Sequence, residues 1–283
     1  MKVLITAGLL TAAALAPAWA EDGPQAVISI GGPITETVYQ LGEEDRLIAR
    51  DTTSVWPEAV MELPDVGYMR ALSAEGVLSV DPDLILLRDT SGPPEALEQL
   101  RAASVPLVEI HDAFTPEAIL NMVDKIGAAL NAQPAAEALN AKLRADLKAL
   151  AAETASLEHP RRVLFLLSAE DGRLVAAGSG NGADGLLKLA GAINILGDEF
   201  QGYKPISTEA IITADPEVIV MMSGRVSHEG LPDEILALPA IALTTAGRNK
   251  AFMTVEGAAL GFGPRTVEFA RDLSRRLHAA TGD

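Results

Sequence analysis

Cysteine is absent from this 283-residue chain, and its absence excludes several kinds of chemistry at once. Without a thiol there is no disulfide framework, no cysteine-ligated zinc or iron–sulfur site and no thiol nucleophile. Basic residues are also scarce, because 22 Lys and Arg face 39 Asp and Glu and leave a net charge of −17. Proteins bind nucleic acid through clustered basic side chains that displace counterions. The composition therefore argues against nucleic acid as a partner.

Long hydrophobic runs are missing as well, apart from one at the N-terminus. Lys2 is followed by an apolar stretch over residues 3–15 and by small residues at Ala18 and Ala20. This is the pattern of a secretory signal peptide that is cleaved after Ala20, and the run is shorter than the roughly 18 residues of a membrane span. Because no cysteine follows the cleavage site, a lipid anchor there is excluded. We therefore expect a soluble protein that is exported to the periplasm.

One segment of the sequence occurs twice, with residues 72–87 matching residues 206–221. In each copy a serine, Ser73 or Ser207, can cap a short helix, and an Asp-Pro pair ends that helix. An apolar run follows with the length and composition of a buried parallel strand. A unit repeated at about half the chain length predicts two similar lobes. The alternative is chance similarity between two ordinary αβ segments.

Strand and helix patterns alternate along both halves of the chain. This alternation predicts an α/β fold with two Rossmann-like lobes, each built on a central parallel sheet, and a ligand cleft between the lobes at the carboxyl ends of the strands. The remaining strands are expected at residues 26–30, 105–110 and 162–167, and two of the helices at 34–41 and 185–192.

A single long helix is predicted between the two halves. Residues 134–157 are rich in Ala, Leu, Glu and Lys, and no Gly or Pro follows Pro134. Leucines at positions 139, 143, 147 and 150 form an apolar stripe along it, so we expect one rigid helix joining the lobes. The predicted organisation is a signal peptide at 1–20, an N-terminal lobe at 21–133, an interlobe helix at 134–158 and a C-terminal lobe at 159–283.

No catalytic constellation is visible in the sequence. The glycine-rich stretch at 178–182 lacks the Lys-Ser/Thr of a phosphate loop, and a turn before a helix explains it without a function. The four histidines, at positions 111, 159, 228 and 278, have no metal-ligand spacing. We therefore predict a binding protein and not an enzyme. An exported sugar- or phosphate-processing αβ enzyme is the competing class.

Tyr68 is the one residue that suggests ligand chemistry. It lies in the stretch Gly67-Tyr68-Met69-Arg70, before the helix that begins near Ser73. Ferric iron is a hard cation that suits an anionic oxygen, and tyrosinate is an established axial ligand of haem. A tyrosine loses its proton at neutral pH only next to a cation, and Arg70 is two residues away. On the residues alone, a tyrosine that simply packs over its loop is the other interpretation.

With these motifs the chain resembles the periplasmic haem-binding proteins of ABC-type haem importers, within the cobalamin- and siderophore-type substrate-binding superfamily. The opening segment and the Ser-x-Glu units are general to that superfamily, whereas Gly-Tyr-Met-Arg and the Gly-Phe-Gly-Pro-Arg tail are more specific to haem binders. The matching stretches are residues 27–36, 67–75, 177–178, 186–194, 203–207 and 261–265.

The resemblance implies a role for each matching residue. Tyr68 corresponds to the axial ligand of the haem iron and Arg70 to the basic residue beside it. Arg225 lies where some members place an arginine on the other face of the haem. Glu75 and Glu209 correspond to two acidic knobs, one on each lobe, that dock onto arginines of the membrane permease.

The function implied by the resemblance is haem uptake. We expect a monomeric periplasmic protein that captures ferric haem as its transported ligand and delivers it to the ABC permease dimer of the inner membrane. An outer-membrane haem receptor system would be an indirect partner. The nearest alternative is the same fold carrying a ferric siderophore or cobalamin.

Overall fold

The fold was analysed in a computed structural model, which describes residues 23–170, 173–223 and 231–279. The predicted signal peptide at 1–20 and Arg225 lie outside the described residues. Within the described residues, no helix combines the length and the apolarity that a membrane crossing requires.

The first lobe is built on a fully parallel sheet, as predicted. Its strand order is β2-β1-β3-β4. The central strands are buried on both faces, which explains why their sequences read as continuous apolar runs. The strands are β1 Val27–Ile30, β2 Leu47–Arg50, β3 Leu84–Arg88 and β4 Leu107–Ile110.

The second lobe has a mixed sheet, which differs from the parallel sheet predicted for it. Its order is β10-β9-β5-β6-β8, and β7 also pairs with β5. The pairs of β5 with β9 and of β9 with β10 are parallel, whereas β6 runs antiparallel to both β5 and β8. Only residues 171 and 172 separate β5 from β6, too few for the crossover that a parallel neighbour requires. The strands are β5 Arg162–Glu170, β6 Arg173–Ala177, β7 Ile193–Asn194, β8 Tyr203–Ile206, β9 Val218–Met222 and β10 Phe252–Val255.

Helices cover both sheets, and short 3₁₀ turns occur at Glu44–Arg46, Glu58–Glu62 and Gly257–Leu260. In the first lobe they are α1 Gly32–Gln40, α2 Ala74–Leu78, α3 Pro94–Ala102 and α4 Pro116–Ala129, and the long helix is α5 Gln133–Ala155. In the second lobe they are α6 Gly182–Leu189, α7 Thr208–Ala214, α8 Leu231–Ala237, α9 Pro239–Ala242, α10 Thr245–Arg248 and α11 Thr266–Ala279.

Helix α5 lies where the sequence places the long interlobe helix, and it packs against both lobes. Near its N-terminus, Asn140 Nδ2 donates to the Leu120 carbonyl of α4 at 3.1 Å and to Asp124 at 2.7 Å. Near its C-terminus, Glu153 accepts from Arg271 of α11 at 3.2 Å. The predicted leucine stripe points inward, and one continuous hydrophobic core contains residues of both sheets together with α5. The lobes are therefore joined by packed core as well as by one helix.

The repeated unit adopts the same local structure twice. The Ser73 hydroxyl accepts from the Gly76 amide at 3.3 Å, and the Ser207 hydroxyl accepts from the Ala210 amide at 3.2 Å. These are the two predicted helix caps, at the starts of α2 and α7. Asp81 and Asp215, which stand before a proline between the helix and the strand of each unit, both have positive φ, at 56° and 39°. Each unit then continues into a buried parallel strand, β3 or β9.

Gly185 allows two aromatic residues to meet where the lobes adjoin. A methyl group on Gly185 would lie 2.5 Å from Phe262 Cζ and 2.6 Å from the Phe114 carbonyl oxygen. We expect Gly185→Ala to lower the free energy of unfolding by about 1–3 kcal/mol in urea denaturation, because overpacking a filled core strains it.

Gly76 in α2 provides the matched control for this prediction. A methyl group there would lie 3.6 Å from its nearest neighbour, Ser73 Cβ, which is an ordinary contact. Gly76→Ala should raise the free energy of unfolding by up to about 1 kcal/mol through helix propensity. Equal losses in the two variants would contradict the packing account.

Candidate functional site

Tyr68 lies on a loop that is fastened at both ends to the first lobe. The Thr52 amide donates to the Gly67 carbonyl at 3.0 Å, and Gly67 has a φ of 100°, which glycine adopts without strain. After Tyr68, the Gly92 amide donates to the Met69 carbonyl at 2.9 Å. The Met69 side chain is buried in the core of the first lobe, and this packing holds the loop against the lobe. The loop thus presents Tyr68 from a fixed backbone.

The structure brings Tyr68 and Arg70 together. Arg70 Nη1 donates to Tyr68 Oη at 2.9 Å, and the Tyr68 side chain remains 42% exposed. The guanidinium therefore lies at hydrogen-bond distance from an oxygen atom of the type that binds a hard metal ion. The pair therefore offers an exposed phenol oxygen and an exposed cation to an incoming ligand.

Arg70 also acts on charged and polar groups around it, in both lobes. Burial lowers the pKa of Arg88 to about 10, and the positive charge of Arg70 contributes to that lowering. In the second lobe, burial raises the pKa of Tyr203, while a hydrogen bond from the Ala183 amide and the charge of Arg70 act in the opposite direction. The charge of Arg70 thus influences Arg88 in the first lobe and Tyr203 in the second.

The second lobe contributes Tyr203 and the adjoining Lys204 at the start of β8. Tyr203 is partly buried, whereas Lys204 is exposed and its Nζ lies 5.5 Å from the Phe200 ring centroid. Arg70 and Lys204 are both exposed cations, and Lys204 is the sequence neighbour of Tyr203. Exposed cations of this kind can pair with carboxylate groups of a ligand.

The glycine-rich stretch at 178–182 has a structural explanation. Asn181 caps α6 through its side-chain oxygen, which accepts from the Ala183 and Asp184 amides at 3.1 Å. A methyl group on Gly178 would collide with the Phe200 carbonyl oxygen, because the two atoms would lie only 2.0 Å apart. The stretch is a tight turn before a helix, as the sequence indicates.

A polar cluster that the sequence analysis did not single out lies at the carboxyl ends of β3 and β4. Buried Arg88 pairs with Asp112, and Asp89 accepts from the Asp112 amide at 2.9 Å and contacts His111 Nδ1 at 2.6 Å. Among the described residues, no group of three or more His, Asp or Glu side chains could hold a metal ion. The local signal for these residues is only that they follow buried strands, which does not distinguish them from ordinary loop residues.

Glu75 and Glu209 occupy matching places in the two lobes. Each is exposed in the first turn of its short helix, two residues after the capping serine. Two identical acidic helix ends, one on each lobe, present the same chemistry twice on the protein surface.

Among the described residues, the second lobe contains cavities of about 250 and 380 Å³. Tyr68 and Arg70 line neither of them. Both side chains of the Tyr68–Arg70 pair are instead exposed to solvent.

The family of the chain follows from comparison with known proteins. A family model described as periplasmic binding protein matches residues 27–258. The solved structure of the periplasmic haem-binding protein BhuT, in complex with two haems, is 35% identical, with a TM-score of 0.86 over 91% of this chain and 99% of that chain. The periplasmic haem-binding protein HutB of Vibrio cholerae is 35% identical, with a TM-score of 0.81 over 90% of this chain and 99% of its own.

More distant relatives are named for a different ligand. A vitamin B12-binding protein of Vibrio campbellii is 26% identical over 211 residues, which are 74% of this chain and 75% of that protein. The first curated relatives are matched over 64% to 76% of their own lengths. These relatives are substrate-binding proteins of transport systems and not enzymes, which confirms the predicted class. The chain belongs to the periplasmic binding protein family, as a substrate-binding protein of an ABC transporter.

Proposed function

We propose that this protein captures ferric haem in the cleft between its lobes, with Tyr68 as the axial ligand of the iron, and delivers it to an inner-membrane permease. The observation that carries the proposal is the hydrogen bond from Arg70 to the exposed Tyr68 hydroxyl. The 35% identity to haem-binding proteins over nine-tenths of the chain supports the choice of ligand.

The ferric ion and the propionates of a haem each have a chemically suitable partner among these residues. The ferric ion is hard and takes an anionic phenolate oxygen, which Arg70 stabilises by a charge-assisted hydrogen bond. The propionates are carboxylates, and we assign the exposed cations Arg70 and Lys204 to them. Arg225, which lies outside the described residues, is our candidate for the other haem face.

Pre-organisation is part of the proposal. The loop of Tyr68 is held by backbone hydrogen bonds on both sides, and a shared core joins the two lobes. A site that is already ordered loses less conformational freedom when the ligand binds. We infer that residues 21–133 and 159–283 act as two nearly rigid lobes, with residues 134–158 as the connecting helix.

We assign docking onto the permease, which precedes delivery of the ligand, to Glu75 and Glu209. They are exposed acidic residues at equivalent places in the two lobes, and a two-fold permease dimer offers two equivalent basic sites. A periplasmic protein that acts as a monomer would thus meet both permease subunits at once. An outer-membrane haem receptor system would supply the ligand indirectly.

Cobalamin is the second candidate ligand, because several curated relatives are named vitamin B12-binding proteins, at 24% to 27% identity. Cobalamin has its own axial base and carries amide side chains instead of ionised propionates. It therefore gains less from a phenolate–guanidinium pair, which favours haem.

Titration of the purified protein with hemin and with cyanocobalamin tests the proposed function. We expect the haem Soret band to shift and to saturate at a fixed stoichiometry, and we expect cyanocobalamin to show no saturable binding by calorimetry. A ferric siderophore serves as a third ligand. Saturable binding of cobalamin or siderophore without a Soret shift would overturn the haem assignment in favour of that ligand.

A further inference from the structure

The segment Gly261–Arg265 is not part of the Tyr68 site, yet it contacts the first lobe over most of its length. The Gly261 carbonyl accepts from Arg88 Nη1 at 2.9 Å. The Phe262 ring meets Phe114 edge to face, with 5.6 Å between ring centroids. Both Arg88 and Phe114 belong to the first lobe, so this short segment bridges the chain's two halves.

The two glycines of the segment are required by a close approach to Pro33 in the first lobe. A methyl group on Gly261 would lie 2.8 Å from Pro33 Cγ, and one on Gly263 would lie 3.0 Å from Pro33 Cβ. Both distances are shorter than normal carbon–carbon contacts. The backbone of the second lobe therefore rests directly on the N-terminus of α1.

Arg265 ends the segment and holds three groups at once. Its Nη1 lies 3.4 Å from Glu36 Oε1 of α1, and its guanidinium carbon lies 4.4 Å from the Trp56 ring centroid. The same carbon lies 4.7 Å from the ring centroid of Phe269 in its own lobe. Guanidinium–aromatic and guanidinium–carboxylate contacts both favour a desolvated arrangement of this kind. Arg265 thus connects α1 and the Trp56 loop of the first lobe to α11.

Glu36 is the group in this contact that can change charge. Its side chain is only 6% exposed. Burial raises the pKa of Glu36 from 4.5 to about 7, with Arg265 lowering it and the acidic residues Glu268 and Glu256 of the second lobe raising it further. A carboxyl group that is buried when the lobes meet, and hydrated when they part, binds its proton more tightly in the closed arrangement.

We propose that residues 261–265 form an interlobe joint, with Arg265 as its positioning residue, and that protonation of Glu36 controls how tightly the two lobes close. The joint consists of protein groups alone, so the proposal stands whether the ligand is haem or another molecule.

The direction of the pH effect follows from the raised pKa of Glu36. Between the ordinary value of 4.5 and about 7, the closed joint holds a proton that an opened joint releases. Closure is therefore strongest at the acidic end of this window and weakens as the pH rises through it. If opening returns Glu36 fully to water, the opening equilibrium changes by up to about 300-fold across the window.

Two spectroscopic probes, one optical and one magnetic, can follow the joint in the ligand-free protein. With Trp19→Phe, Trp56 is the single tryptophan, and its emission reports the stacking with Arg265 directly. Because the chain has no cysteine, spin labels can be placed specifically at Gln99→Cys and Asn249→Cys, which are exposed in the first and second lobe. Both probes are recorded from pH 4 to 8.5.

We expect Trp56 emission and the distance between the labels to change together, toward an opened joint, as the pH rises through the window. Glu36→Gln should abolish the pH dependence. Glu153→Gln, which removes the charge of the more exposed carboxylate that pairs with Arg271 of α11, should leave the pH dependence unchanged. Arg265→Lys keeps the charge but loses the planar stacking, and it should broaden the distance distribution at every pH with an unchanged circular dichroism spectrum.

A pH-dependent change that persists in Glu36→Gln would overturn the assignment of the switch to Glu36. No change in the unsubstituted protein between pH 4 and 8.5 would overturn the switch altogether. A distance distribution unaffected by Arg265→Lys would remove Arg265 as the positioning residue. Hemin binding is measured in a separate titration of the proposed function. If the protein does not bind hemin, the outcomes described here for the interlobe joint can still be interpreted.

Discussion

Replacement of Tyr68 by phenylalanine is expected to lower the affinity for hemin by about 100-fold or more. Mutation of a residue that supports a metal ligand commonly lowers metal affinity by about 10- to 100-fold. Loss of the ligand itself should lower the affinity for hemin by at least the upper end of that range. The substitution removes only the hydroxyl group that accepts from Arg70. Because the side chain is already 42% exposed, the core of the lobe loses no packing.

The measurement is a hemin titration followed by absorbance, with circular dichroism as a check on folding. Tyr68→Phe should also lose the charge-transfer band that a tyrosinate–iron bond produces. Tyr39→Phe, at the end of α1, is the matched control and should bind like the unsubstituted protein. If Tyr68→Phe retains both the affinity and the spectrum, another residue holds the iron.

The repeated unit shows how far local sequence patterns predict this fold. The serine caps of α2 and α7, the Asp-Pro pairs and the buried strands after them all depend on interactions within about ten residues. The long helix is likewise fixed by its own composition and leucine stripe. The observed Gln133–Ala155 agrees with the predicted 134–157 within two residues at each end.

The mixed second sheet shows where alternation of strands and helices misleads. The pattern predicts parallel strands, but β6 is a direct return of β5 and belongs to a hairpin. The sequence holds a signal for this, because Asp171-Gly172 lies between two apolar runs, and Asp-Gly is a common hairpin dipeptide. With β6 in place, β8 pairs with its free edge, and Tyr203 lies opposite Ala177.

The contacts between the lobes could not be predicted from local patterns. Glu36 and Arg265 are 229 residues apart in sequence, and nothing in their neighbours indicates that they meet. The same holds for Arg88 and Gly261, which are 173 residues apart. Such pairs depend on how the two lobes pack, whereas the Tyr68–Arg70 pair needs only one loop and is visible in the sequence.

Replacement of both Glu75 and Glu209 by alanine is expected to abolish stimulation of the permease while leaving hemin binding intact. Each carboxylate lies in the first turn of a short, exposed helix, and neither takes part in a salt bridge within the described residues. Their removal should change the free energy of unfolding by less than about 1 kcal/mol per site, the size of an exposed helix-terminus charge effect. An interfacial charge pair is commonly worth more than that, about 1.5–7 kcal/mol by double-mutant cycles.

The test is the ATPase rate of the reconstituted transporter as a function of binding-protein concentration. Each single variant should need at least about tenfold more binding protein for half-maximal stimulation. This factor corresponds to the lower end of the energy range for an interfacial charge pair, about 1.5 kcal/mol. The double variant should stay near the basal rate, and the stimulation by the unsubstituted protein should weaken at high salt. Glu98→Ala removes an exposed carboxylate from α3 of the first lobe and should stimulate normally. A double variant that binds hemin and stimulates like the unsubstituted protein would show that the permease recognises another surface.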